Sequence, residues 1–442
     1  MVYSKMAISK TGLETLQWFI FLLASSVALP IVIGSLYEMD FTEVAGLMQR
    51  TFFIVGVASL LQGLVGHRLP IMEGPAGLWI SIFSVMAVTG AQQGMNAGQT
   101  LQSVETAMLF TGGFLILFGA FRLAEKLLPL FTPLVTGSFL FLLTVQLSGT
   151  FLKGMLGIQQ KIEAIHGTEA IIAFITFFIV LGLSIFARGW LGNYAVLIGI
   201  VIGWVSYGIF VGNTPLETTN MTRFALPEWF AWGAPRMDWS VVPIAFITAV
   251  ILLSNVVASV VATSQSVYGK ASYSSKQINR GSAILGVNHG LVGVFSAIAN
   301  VPLATSAGFI KMTGQTRKQP FLFASGLLIL VAFFPPIVAW ISGIPAPIAN
   351  AAILATFVQL MGLGLSNIAS EQLDSRRLTI IGVSYLFGIG SMFLPMEVFA
   401  ELPLLIQNLA SNGLLVGTIL VIVLEQCWRQ DRPEVSSTTN KE

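Results

Sequence analysis

Charge is what this 442-residue chain has least of: Asp, Glu, Lys and Arg make up only 10% of it. A soluble domain carries roughly 25%, so a water-facing surface is excluded. Cys427 is the sole cysteine, which rules out an intrachain disulfide and a cysteine metal cluster. The three histidines, His67, His166 and His289, are scattered and make no metal-ligand spacing. No nucleophile–base arrangement, phosphate loop or zinc motif occurs, so neither an enzyme nor a cofactor is expected. A net charge of +2 is too small to point to nucleic acid. The longest gap concerns acids: from Asp238 to Glu371 there is no Asp or Glu.

What is abundant is apolar sequence, 55% of the residues with a mean hydropathy of +0.82. The chain therefore reads as an all-α polytopic membrane protein. A bilayer core of about 30 Å takes roughly 20 apolar residues per helix. On that length, spans are expected near 15–34, 46–65, 75–90, 105–121, 127–148, 168–187 and 191–212. After a polar, Trp- and Pro-rich stretch, seven more follow near 241–264, 281–299, 305–315, 320–342, 348–366, 378–394 and 403–424. The count divides into a first repeat (1–212), an outer loop (213–240), a second repeat (241–428) and a cytoplasmic tail (429–442). No cleavable leader is evident before the first span. With both termini cytoplasmic, all of the 22 Lys and Arg residues but Arg50, Lys153, Lys161, Arg223 and Arg236 fall on the inner side. The positive-inside rule expects this bias for an even number of spans. Trp229, Trp232 and Trp239 in the outer loop read as interfacial anchors.

The third and tenth spans are short, and each follows a polar, glycine- and proline-bearing interruption. The first is Leu69-Pro70-Ile71-Met72-Glu73-Gly74-Pro75-Ala76-Gly77; the second is Val301-Pro302-Leu303-Ala304-Thr305-Ser306-Ala307-Gly308. Paired interruptions in two halves point to the binding site of a transporter built from inverted repeats. Glu73 is a candidate substrate acceptor or proton carrier, because an acid inside a membrane is costly and defaults to function. The competing reading is an interfacial carboxylate beside His67 and Arg68. Thr305 and Ser306 would open a half-helix whose free N–H groups suit a polar or anionic ligand, although ordinary capping looks the same. Gly74, Ala76 and Gly77 offer the same device from the other half. Ser254 and Asn255, with Ser259 one turn on, interrupt the apolar eighth span as ligand contacts or as interhelical hydrogen bonds. Gln17 has the same ambiguity in the first span, and Gln146 and Gln359 read as packing contacts. Lys311 is expected to reach toward the cytoplasm.

Several segments resemble the xanthine/uracil permease family of nucleobase–cation symporters. Arg280-Gly281, followed by Gly308-Phe309-Ile310-Lys311-Met312-Thr313-Gly314, is similar to its ninth and tenth spans. Pro133-Leu134-Val135-Thr136-Gly137 resembles its fifth-span element. Leu360-Met361-Gly362, Phe399-Ala400-Glu401-Leu402-Pro403 and Ser411-Asn412-Gly413 resemble the last spans of purine-type members. Leu69-Pro70 through Gly77 resembles its Leu-Pro…Gln-Gly-x-Ser-Phe stretch. The resemblance implies 14 spans as 7+7 inverted repeats, core and gate domains, and short antiparallel strands before spans 3 and 10. It implies a nucleobase held between those strands and span 8, a proton as coupling ion, and often a homodimer. Its third-span contacts fall on Glu73, Ala76 and Gly77, its tenth-span residue on Thr305, and its eighth-span glutamate within 254–256, where Asn255 is the polar substitute.

The chain departs from the family in lacking the span-8 Glu and the span-10 Glu or Gln, in having Gln17-Trp18 for Gln-His, and in placing Glu73 where the family often has a neutral residue. The expectation is a proton-coupled purine permease of the bacterial inner membrane in which Glu73 takes over the acceptor and coupling role. A small-anion transporter of the same architecture and a transport-inactive sensor or scaffold are the alternatives.

Overall fold

The computed structural model describes residues 2–75, 77–123, 132–158, 166–212, 222–269, 274–399 and 412–428, with single positions (126, 130, 402, 406 and 410) between them. Two helices open the chain, α1 (Val2–Leu36) and α2 (Phe41–Leu64). Then come strand β1 (Glu73–Pro75), α3 (Gly77–Gln92) and α4 (Ala97–Ala120). The first half continues through α5 (Pro133–Met155), α6 (Gly167–Phe186), the one-turn α7 (Trp190–Asn193) and α8 (Ala195–Phe210). The second half repeats the order with α9 (Val242–Tyr268), α10 (Ser275–Val294), strand β2 (Asn300–Pro302) and α11 (Thr305–Thr313). It closes with α12 (Lys318–Ala332), α13 (Pro335–Ser342), α14 (Ala346–Ile368), α15 (Ser375–Met392) and α16 (Gly413–Cys427).

Among the described residues, seven helices are long and apolar enough to cross a membrane alone. The other crossings are shorter or broken. The nine residues of α11 rise only about 13 Å, half a bilayer. The pair α12 and α13 bends by 93°, because Pro335 and Pro336 restart the helix at α13.

Helix limits follow local chemistry more closely than hydropathy does. The expected fifth span at 127–148 is displaced, since Thr132 caps the Val135 N–H and Pro133 takes the first helical position of α5. The ninth, expected at 281–299, runs earlier: Ser274 caps Gln277 N–H, and the chain leaves the helix before Ser296, whose φ is +46°. In the fourteenth, Asn412 caps Leu415 N–H at the start of α16. Reciprocal capping boxes, Asp40 with Glu43 and Asn96 with Gln99, fix the starts of α2 and α4. The proposed tail at 429–442 and most of the first part of the outer loop lie outside the described residues.

The packing has two bodies. In the core, α4 lies along α10 and α2 along α12, with α1 and α9 against them. In the gate, α5 pairs with α14, α6 with α8 and α15 with α16. The core pairings are repeat-related: a Cβ on Gly112 of α4 would come within 2.7 Å of the Gly286 carbonyl of α10, and one on Gly56 of α2 within 2.8 Å of the Ser325 carbonyl of α12. Gly137 and Gly364 make the same close crossing between α5 and α14, at 2.6 Å. Small residues at crossings let backbones approach where lipid gives no hydrophobic drive.

The described part of the outer loop, 222–238, straps the core. Gln49 Nε2 donates to the Ala225 and Ala332 carbonyls, Gln102 Nε2 to that of Trp232, and Thr106 Oγ1 to that of Arg236. Phe230 N–H reaches the Val294 carbonyl and Trp232 N–H the Ser296 hydroxyl. That hydroxyl donates in turn to Glu105, and Arg50 Nε donates to the Ser296 carbonyl. Trp229 and Trp239 are exposed, but the Trp232 ring packs inward edge-to-face on Phe83 of α3.

Because each crossing glycine faces main chain, Gly112→Val or Gly286→Val is expected to cost about 1–3 kcal/mol through overpacking. A lowered melting temperature of the purified protein, set against the exposed control Gly113→Ala with nothing near its Cβ, checks this.

Candidate functional site

The two interruptions meet. β1 and β2 pair antiparallel in the register Glu73 with Pro302, Gly74 with Val301 and Pro75 with Asn300. A proline ends each strand and cannot donate to the ladder, and other groups close the end at which Glu73 faces Pro302. Leu303 N–H donates to the Met72 carbonyl at 2.8 Å, and Met72 N–H donates to Ser306 Oγ at 3.0 Å. Ser259 Oγ of α9 donates to the Pro302 carbonyl at 2.7 Å and lies 3.2 Å from Asn255 Oδ1. Glu73 N–H donates to Ser59 Oγ of α2 at 3.0 Å. Helices α3 and α11 thus begin at opposite ends of one strand pair, with α9 packed against β2 and α11.

The residues singled out in the sequence divide by what they touch. Gly74 lies in the strand pair, where a Cβ would press on Leu303. Gly77 opens α3 and is partly accessible, while Ala76 lies outside the described residues. Ser254 and Asn255 are partly accessible on α9, and Thr305 is exposed at the first turn of α11. Ser306 and Ser259 are buried and hold the frame just described. Gln17 is remote from the strands and takes a hydrogen bond from Gln315, near the Glu14–Arg317 ion pair at 2.6 Å. Its neighbour Trp18 is fully buried against Phe309 of α11, with ring centroids 4.5 Å apart. Gln146 accepts from the Leu414 N–H, as a packing contact would, and Gln359 and Lys311 are exposed.

Glu73 is 0% exposed, which sets aside the interfacial reading. Its carboxylate faces His67 Nε2 at 3.5 Å and makes no hydrogen bond. Leu69 N–H donates to His67 Nδ1 at 3.1 Å, so in a neutral ring the proton sits on Nε2, turned toward Glu73. The segment carrying His67 is held to α10 by Gln62 Nε2 on the Gly281 carbonyl and by Gln277 Nε2 on that of His67. Nearby, Trp79 Nε1 of α3 donates to His289 Nε2 of α10 at 3.2 Å.

Sequence reading missed Asn300. The antiparallel register makes Asn300 the counterpart of Glu73, and it too is fully buried with its amide atoms unpartnered. Its place one residue before the second interruption was the available signal. A cleft of about 500 Å³ opens between core and gate, lined by Ala258, Val261 and Gln265 of α9, Thr136 of α5, and Asn367 and Ser370 at the end of α14. Ser254, Ala258, Val261 and Gln265 fall at helical spacing on one face of α9, so the accessible stripe runs from the strand pair toward the cleft.

Two half-helices from opposite repeats, a strand pair between them and a second body across a cleft define a polytopic transporter of the 7+7 inverted-repeat class. The fold is shared with the transmembrane domain of the cyanobacterial bicarbonate transporter BicA, at a TM-score of 0.61 and 13% identity over 93% of this chain and 97% of that domain's chain. The permease family model matches residues 9–397, and the chain belongs to the xanthine/uracil permease family, whose members are transporters and not enzymes. Among its relatives, YwdJ of Bacillus subtilis, which carries the name of a candidate purine permease, is 31% identical over 442 residues, covering 98% of this chain and 100% of YwdJ. The uric acid permease PucJ of the same organism is 25% identical over 435 residues, covering 96% and 94%.

Ser306→Ala would leave the buried Met72 N–H without its acceptor, an expected loss of about 1–3 kcal/mol. Thermal melting of Ser306→Ala beside the hydroxyl-keeping Ser306→Thr checks it: only the first should fall.

Proposed function

We propose that this permease is a secondary active transporter that moves a nucleobase, a purine in preference to uracil, across the plasma membrane with a proton as coupling ion. The observation that carries the reading is the convergence of Gly77, Thr305 and Asn255 from three helices at one strand pair. Helix N-termini present unpaired N–H groups and a partial positive charge. An oxopurine carbonyl suits the opening of α3 and the Thr305 N–H of α11, the next two amides of α11 being bonded to the Leu303 and Ala304 carbonyls, while Ser254 and Asn255 supply hydroxyl and amide contacts from α9. Gly77, which opens α3, lacks the side chain that would keep a flat ring away from the main chain there. Glu73 and Ser306 then act from behind the site. Ser306 fixes the strand–helix junction, and Glu73, beside His67, carries the coupling proton. The names of YwdJ and PucJ favour a purine.

Alternating access follows from the division into core and gate: the core carries the site and moves against α5 and α14. The cleft at Thr136, Gln265 and Asn367 suits an inward-open state with both termini cytoplasmic. A homodimer, which the family resemblance implies, is checked by the mass of the purified protein.

One observation favours a second reading. Without any acid from 239 to 370, a site facing two helix N-termini also suits a small anion, and BicA shares the fold. Proteoliposome uptake of radiolabelled xanthine, competed by uric acid, hypoxanthine, uracil or bicarbonate, separates the two. Competition by the purines and none by bicarbonate is expected; the reverse pattern overturns the nucleobase reading. In the same assay Glu73→Gln is expected to abolish accumulation driven by a proton gradient while sparing exchange of base for base. Intact proton-driven accumulation in that variant would remove Glu73 from the coupling role.

A further inference from the structure

The start of α3 lacks a side chain where the ligand would lie, and a ring from the other body fills the space. Gly77 is the first residue of α3, in the core. A Cβ built on it would come within 3.1 Å of Phe357 Cζ and 3.9 Å of its Cε1. Phe357 belongs to α14, in the gate, and is 8% exposed. Its position is set from behind by Phe151 of α5, fully buried, with ring centroids 5.1 Å apart at 50°. Phe357 is thus a gate residue, backed by a gate helix, whose tip touches the core at the mouth of a half-helix.

Flat heteroaromatic ligands gain much of their affinity from an aromatic face. Among the residues assigned above to contact the base, Gly74, Ala76, Gly77, Ser254, Asn255 and Thr305, none is aromatic. We infer that Phe357 is the aromatic wall of the base site and a specificity-determining residue, so that the stacking surface comes from the gate while the polar contacts come from the core. This rests on the nucleobase reading proposed above. It has a mechanical corollary. Gly77 and Phe357 ride on different bodies, so their separation changes whenever core and gate move, and the full set of contacts exists in one state only. Base affinity is therefore linked to closure.

The test is uptake of radiolabelled xanthine by proteoliposomes of the full-length protein, with melting temperature as the folding control. Stacking of a base on an aromatic side chain is typically strong enough that its loss weakens binding about tenfold or more. Phe357→Leu keeps an apolar side chain without a ring face and is expected to raise KM by about that factor, whereas Phe357→Tyr should stay within about threefold of wild type. Gly77→Phe places two rings in one volume and should abolish uptake. The exchange Gly77→Phe with Phe357→Gly should recover xanthine-dependent thermal stabilisation, because the ring is then supplied from the core. A Phe357→Leu protein that transports like wild type, or a Gly77→Phe protein that transports at all well, overturns the inference and leaves the nucleobase reading standing. Wild-type protein that takes up none of the bases overturns the nucleobase reading itself.

Discussion

Three residues of main chain from each repeat lie against one another inside an apolar bundle, and the rest of the molecule is arranged to make that tolerable. A peptide group in such surroundings must find a partner, since no water is there to provide one. Helices satisfy themselves; a strand cannot. β1 and β2 are therefore each other's only extended neighbour among the described residues, and the end at which Glu73 faces Pro302 is closed by Ser306, Ser259 and Ser59 from three different helices. Once the strands are fixed, two helix N-termini are fixed as well. The polar site is a by-product of satisfying the backbone.

That logic also separates side chains that hold the frame from neighbours that stay accessible. Ser306 and Ser259 have spent their hydroxyls on the backbone, while Thr305 and Asn255, each on the same helix as one of these serines, remain accessible. The two-fold relation is broken chemically at one position, where one strand carries Glu73 and the other Asn300. A single acid in a pseudo-symmetric pair gives one repeat a group that can exchange a proton and the other a group that cannot. His67, on the Glu73 side, deepens that asymmetry.

Much of this was legible before any coordinates. The interruptions at 69–77 and 301–308 announced the half-helices, because proline, glycine and polar residues come together there, whereas within the long spans glycine serves singly at helix crossings. What stayed hidden was orientation. Glu73 reads as a group facing the ligand, yet its strand turns it toward His67, six residues away, and a strand's facing cannot be judged from three residues. Trp232 reads as an anchor in lipid headgroups, whereas main-chain contacts around it draw the ring onto Phe83. Gly77 and Phe357 could not be linked from sequence at all, being 280 positions apart with no shared pattern. Hydropathy alone runs one span through 320–342, and it is Pro335 and Pro336, residues that end or restart helices, that mark the bend between α12 and α13.

The strap over the core has an evolutionary reading. Gln49, Gln102, Thr106 and the Val294 carbonyl all engage its peptide groups rather than its side chains. Almost any residue supplies a carbonyl, so substitutions along 222–238 can accumulate while its route over the helices stays put. Divergence in that stretch between related permeases would then measure freedom of composition, not freedom of path, and a segment that looks dispensable by comparison would still be bracing both repeats.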